Sequence, residues 1–133
     1  MKTATGKEST SLPLVLIVDD NTEAREMYAL YLEHAGFRSA EAGDGRAALE
    51  QVRSNRPAII LMDAAMTGLD GWEAVGVLKR DPDTRTIPLI MLTAHVFPEH
   101  RARAAAAGAD VFLGKPVLPD ELAREIRRIL KES

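Results

Sequence analysis

Residues 14–20 read Leu14-Val15-Leu16-Ile17-Val18-Asp19-Asp20, an unbroken aliphatic run that ends on two carboxylates. Such a run, without polar alternation, fits a parallel strand covered on both faces. The same design returns at Ala58–Met62, followed by Asp63, and at Leu89–Leu92, followed by Thr93. Two further runs complete the set: Phe37–Glu41, which is weak, and Val111–Leu113, with Lys115-Pro116 starting two residues on.

Amphipathic segments separate these runs. Asn21 or Thr22 can cap a first helix that presents Ala24, Met27, Tyr28, Tyr31 and Leu32 on one face and ends near Gly36. A second spans about Gly45 to Ser54 and presents Ala48, Leu49 and Val52. A third begins after Asp70-Gly71, carries Trp72, Val75 and Leu78 at helical spacing, and stops at Asp81-Pro82. The fourth starts near Pro98, a natural first-turn residue, and ends at Gly108; the fifth starts near Pro119 and displays Leu122, Ile126, Ile129 and Leu130. Five strand–helix alternations specify an α/β fold with one parallel sheet flanked by helices. Residues 12–133 are read as one domain, and the polar residues 1–11 as a disordered leader.

Composition narrows the function. The 133 residues are 46% hydrophobic and 28% charged, and 17 Lys and Arg against 20 Asp and Glu leave a net charge of −3. No broad basic field is available for nucleic acid or anionic lipid. The absence of cysteine excludes disulfides, thiolate metal sites and Cys nucleophiles, and fits a cytoplasmic location. No apolar run approaches the roughly 20 residues that span a bilayer.

In an open parallel α/β sheet, ligands bind outside the carboxyl ends of the strands. The polar residues expected there are Asp19, Asp20, Asp63, Thr93 and Lys115. Carboxylates converging in one cleft repel each other unless a cation binds. A hard oxygen donor set with open positions suits Mg²⁺, which joins phosphate oxygens to one or two carboxylates. A carboxylate can also accept a phosphoryl group as an aspartyl phosphate. The group in transit then needs positive charge and hydrogen-bond donors, which Mg²⁺, Lys115 and the Thr93 hydroxyl can supply. Each residue alone admits a plainer role: Asp19 and Asp20 as helix caps, Asp63 as a turn residue, Thr93 as a loop cap, Lys115 as a solvated lysine. Their joint position at four strand ends favours the chemical reading.

The stretches Val15-Leu16-Ile17-Val18-Asp19-Asp20, Leu61-Met62-Asp63 with Met66 and Gly68-Leu69-Asp70-Gly71, Ile87-Pro88 through Thr93-Ala94, and Gly108 through Pro116 resemble the receiver domains of two-component response regulators. The resemblance spans about Leu12 to Leu130. It implies a flavodoxin-like doubly wound sheet of order 2-1-3-4-5, with Asp63 as phosphoacceptor and Asp19, Asp20, Asp63 and the Ala65 carbonyl as Mg²⁺ ligands. It further implies that Lys115 pairs with the phosphoryl group, that Thr93 moves toward it, that Phe112 is the switch aromatic, and that Lys115-Pro116 is a cis peptide. The implied partners are a sensor histidine kinase or histidine phosphotransfer protein upstream, and a downstream protein or fused effector, signalled through the fourth helix, fifth strand and fifth helix. No direct nucleic-acid or membrane contact is implied. Thr67 stands where the family often has Pro, and Ala65 and His95 occupy positions that tune phosphate lifetime.

Three rival readings remain at this point. A phosphorylation-independent receiver-like scaffold would not need the intact Asp, Thr and Lys set. A haloacid-dehalogenase-like phosphatase needs a second Asp two residues after the nucleophile, where this chain has Ala65. A flavodoxin-like redox carrier needs a phosphate-binding loop after the first strand, where Asp19 and Asp20 would repel an anionic cofactor. His34, His95 and His100 are scattered; Met62, Met66, Met91 and Trp72 are read as packing residues. Arg124, Arg127, Arg128 and Lys131 are read as a solvated helix face.

Overall fold

The computed structural model describes residues 12–64, 71–82, 84–94 and 98–132. The leader 1–11, Ala65, Met66, Thr67 and His95 lie outside the described residues, as do the Trp72 and His100 side chains. The chain alternates β1 (Leu14–Val18), α1 (Thr22–His34), β2 (Arg38–Ala42), α2 (Gly45–Asn55), β3 (Ile59–Asp63), α3 (Gly71–Arg80), β4 (Leu89–Thr93), α4 (Pro98–Ala107), β5 (Val111–Gly114) and α5 (Pro119–Glu132). All strand pairs are parallel, in the order β2-β1-β3-β4-β5. The expected fold class and strand order are therefore found.

Strand geometry sends alternate side chains to opposite faces. Val15, Ile17, Ile59, Leu61, Ile90 and Leu92 form one core with Tyr28 and Leu32 of α1 and Leu122 and Ile126 of α5. Leu16, Val18, Ile60, Met62, Leu89 and Met91 form the other with Ala48 and Val52 of α2 and Ala74, Val75 and Leu78 of α3. The three central strands are buried along nearly their whole length, which explains their uninterrupted aliphatic composition. β2 reads weakly because it is an edge strand, half-buried over Arg38–Ala40 with Glu41 exposed.

Several boundaries differ by a residue from the sequence expectation. β2 begins at Arg38 because the Phe37 N–H still closes the turn after α1, donating to the Leu32 carbonyl at 3.0 Å. Asp63 and Thr93 belong to their strands, since the ladder continues through the pairs Asp63–Leu92 and Thr93–Gly114. Met27 is 41% exposed instead of facing the core, and Ala29 is buried. Five residues of helix rotate Met27 about 140° from Leu32, outside the arc the sheet covers.

Candidate functional site

The β1–α1 junction delivers two acids to the carboxyl edge of the sheet. Asn21 caps α1, its Oδ1 accepting from the Ala24 N–H at 2.8 Å. Asp19 Oδ1 accepts from the Asn21 N–H at 2.9 Å, and the Asp19 N–H donates to the Ala42 carbonyl at 3.1 Å. Asp19 is thereby turned inward, 3% exposed, while Asp20 remains exposed. Asp63, at the end of the adjacent β3, is 7% exposed.

Among the described residues, Asp19, Asp20 and Asp63 each offer a carboxylate oxygen within 4.8 Å of the others. Lys115 enters from the loop after β5. Its Nζ donates to Asp63 Oδ1 at 3.1 Å and stands 3.9 Å from Asp19 Oδ2. Its backbone N–H donates to the Thr93 carbonyl at 2.7 Å, tying the loop to the end of β4. The Lys115–Pro116 peptide is cis, as the resemblance implied.

The electrostatics are those of an acid excess held in a half-dry pocket. Burial raises the Asp19 carboxyl above its ordinary range; the Asn21 N–H hydrogen bond opposes this, the Asp63 charge adds to it, Lys115 lowers it and Asp20 raises it. Burial alone would lower the Lys115 pKa, but the hydrogen bond and charge of Asp63, with Asp19 behind, hold it above its ordinary value. Lys115 is therefore firmly cationic. Tyr28, buried on α1 and within reach of these charges, has its phenol pKa raised, first by burial. Three oxygen donors around one ammonium carry more negative charge than the lysine neutralises. This donor set fits a hard divalent cation.

Thr93 is 5% exposed at the end of β4, one residue beyond the partner of Asp63. Phe112 stands apart from the cluster. It is half-buried on β5, paired with Met91, packed on the α2–α3 side of the sheet, with the Arg101 guanidinium 5.5 Å above its ring. Of the candidate site residues, the structure groups Asp19, Asp20, Asp63 and Lys115, sets Thr93 at the neighbouring strand end, and leaves Phe112 one strand away.

Residues 15–127 match the family described as "Response regulator receiver domain". The chain belongs to this family. This receiver is 38% identical over 117 residues to the phosphate regulon transcriptional regulatory protein PhoB of Klebsiella pneumoniae, covering 88% of this chain and 51% of that one. It thus spans about half the length of the curated relatives it matches. Among solved structures it is similar to the chemotaxis protein CheY4 of Vibrio cholerae, with a TM-score of 0.85 and 32% identity over 90% of this chain and 99% of that one. It is also similar to the signal receiver domain of a signal transduction histidine kinase from Syntrophus aciditrophicus, with a TM-score of 0.84 and 34% identity over 90% and 91% of the two chains. The receiver is a module of two-component signalling.

Two features of this receiver lay outside the sequence reading. Arg25 reaches back from α1 to the Asp19 carbonyl, and Lys79 of α3 pairs with Asp110 at the opposite edge of the sheet, at 2.9 Å. Both pairings join segments that only the folded topology brings together. None of the described helices is long and apolar enough to cross a membrane.

Proposed function

We propose that this receiver takes a phosphoryl group onto Asp63 from a phosphohistidine, and uses the added charge to switch a partner surface. The observation that carries the proposal is the convergence of Asp19, Asp20 and Asp63 within 4.8 Å, with the Lys115 ammonium 3.1 Å from the Asp63 carboxylate. Asp19, Asp20, Asp63 and the Ala65 carbonyl are the groups that would hold Mg²⁺. Bound there, the ion supplies positive charge to the phosphoryl oxygens and offsets the repulsion between acids.

An Asp63 oxygen attacks phosphorus, the phosphorus–nitrogen bond breaks, and the departing imidazole keeps the electron pair and takes up a proton. Lys115 holds Asp63 before transfer and offers the same ammonium to a phosphoryl oxygen afterwards. Its raised pKa keeps that charge in place throughout the neutral range. The new group adds roughly −1.5 to −2 of charge. Thr93 donates to it, Phe112 follows, and the surface of α4, β5 and α5 shifts population.

The donor is a sensor histidine kinase or a histidine phosphotransfer protein, in the cytoplasm. The recipient is a downstream protein or an effector joined to the same polypeptide. Intact-mass spectrometry after incubation with Mg²⁺ and acetyl phosphate tests the proposal. One phosphoryl mass is expected on the wild type and none on Asp63→Ala. A gain that persists in Asp63→Ala moves the acceptor elsewhere, and no gain on either leaves a phosphorylation-independent scaffold.

A further inference from the structure

Arg25 has no part in the chemistry above, yet its side chain, 18% exposed, is committed on every side. Nη1 donates to the Asp19 carbonyl oxygen at 2.7 Å, Nε to Glu41 Oε1 at 3.2 Å, and Nη2 to Thr22 Oγ1 at 3.3 Å. Gly43 lies against it closely enough that a Cβ there would stand 3.3 Å from Nη1. One planar fork therefore joins the β1–α1 junction, the first turn of α1 and the end of β2.

Those contacts complete the immobilisation of Asp19. Its N–H is held by the Ala42 carbonyl, its carboxylate by the Asn21 N–H, and its carbonyl by Arg25. The Asp19 carbonyl belongs to the peptide plane that leads into Asp20. Fixing that oxygen fixes the plane, and with it the position of the Asp20 Cα from which that side chain departs. Asp20 itself is exposed, so burial does little to aim it.

We infer that Arg25 is a positioning residue for the divalent cation: by holding the Asp19–Asp20 peptide it aims both carboxylates at the point where they meet Asp63. The inference rests on the Mg²⁺ reading given above. Charge alone argues the opposite way. A guanidinium beside a cation site repels the cation, so deleting it would tighten Mg²⁺ binding. Loss of a group that orients metal ligands weakens binding instead, by about 10–100-fold. The two accounts differ in sign.

Isothermal titration of the purified protein with MgCl₂ separates them, with circular dichroism melts confirming that each variant is folded. Arg25→Gln is expected to bind Mg²⁺ about 10–100-fold more weakly than wild type. Arg25→Lys, which keeps the charge but not the fork, is expected to be weakened as well. If Arg25→Gln does not fold, Arg25→Lys, which holds the charge constant, carries the test. Binding as tight as wild type or tighter in Arg25→Gln overturns the inference, and so does full affinity in Arg25→Lys. A wild type that takes up no Mg²⁺ overturns the metal reading and this inference together.

Discussion

Replacing Asp19 by Asn should make the metal-free receiver more stable, although it deletes a side chain of the site. Asn keeps an oxygen for the Asn21 N–H, so the 2.9 Å hydrogen bond survives. What disappears is one charge, 3% exposed, facing two like charges within 4.8 Å and one ammonium at 3.9 Å. At an effective dielectric of about 20, a unit pair at this separation amounts to roughly 3–4 kcal/mol. Two repulsions against one attraction leave about one pair uncompensated. Solvent around Asp20 screens its share, while burial of Asp19 adds to the penalty. A net gain of about 1–3 kcal/mol follows for the variant.

Urea unfolding followed by far-ultraviolet circular dichroism measures it, first in EDTA and then in MgCl₂. The wild type should gain about 2.7 kcal/mol at 100 times its Kd for Mg²⁺, and the variant much less, so the ion should cancel or reverse the variant's advantage. The pH dependence has a definite sign. The folded pKa of Asp19 is raised above the ordinary 3.8, so the native state binds more protons than the unfolded state in the interval between them. The wild type therefore loses stability as pH rises through that interval, and the advantage of Asp19→Asn is complete above it. The advantage should shrink as pH falls back through the folded pKa. A variant less stable than wild type in EDTA at pH 7, or one that gains as much from Mg²⁺, refutes the reasoning.

Three other outcomes are expected. Lys115→Met should lower the rate of acetyl phosphate labelling about 10²–10³-fold by mass spectrometry, while Mg²⁺ affinity by calorimetry holds or rises, because the lost group is a cation. Asp110→Asn should lower unfolding free energy in urea by only about 0.5–1 kcal/mol, since the pair is partly solvated and Lys79 keeps the Arg85 and Ile87 carbonyls, and it should leave Mg²⁺ affinity unchanged. Gly108→Ala should destabilise more than Gly36→Ala in thermal melts, although both have positive φ. A Cβ at Gly108 would meet Lys79 Cγ at 2.8 Å, whereas the one at Gly36 meets nothing within 4 Å.

The elements legible in the sequence are those whose environment is uniform. β1, β3 and β4 are buried along their length, so composition alone marks them, and a polar residue at the end of such a run is conspicuous. That is why Asp19, Asp20, Asp63 and Thr93 stand out; Lys115 follows the half-buried β5 and is legible only in company with them. β2 was faint because Arg38 and Glu41 sit on an edge strand and reach outward. Met27 was misplaced because an apolar residue at helical spacing looks core-facing even when the sheet does not extend beneath it. Arg25 carried no signal at all. Beyond Thr22 on its own helix, its partners are a main-chain carbonyl and Glu41, 16 positions on, and the register that pairs Ile17 with Glu41 must exist before they can meet. Lys79 and Asp110, 31 positions apart, are hidden for the same reason.

The two lysine–aspartate pairs of this receiver show how differently charge is balanced at the two ends of the sheet. At the amino-terminal edge, Lys79 Nζ donates to the Arg85 and Ile87 carbonyls at 3.1 and 2.8 Å and to Asp110 at 2.9 Å. The same Asp110 oxygen accepts the Leu89 N–H at 2.8 Å. One cation meets one anion, both ends are held by backbone, and the pair has nothing to gain from a ligand. At the carboxyl edge, Lys115 faces Asp63 and Asp19 with Asp20 close by, so the local sum is negative by two. Folding cannot remove that excess without dispersing the acids, and Arg25, whose own charge is matched by Glu41, holds them in place through a carbonyl oxygen. On the proposed function, the stability sacrificed there is what would appear as affinity for a cation, and then as readiness to accept a group whose arrival needs one.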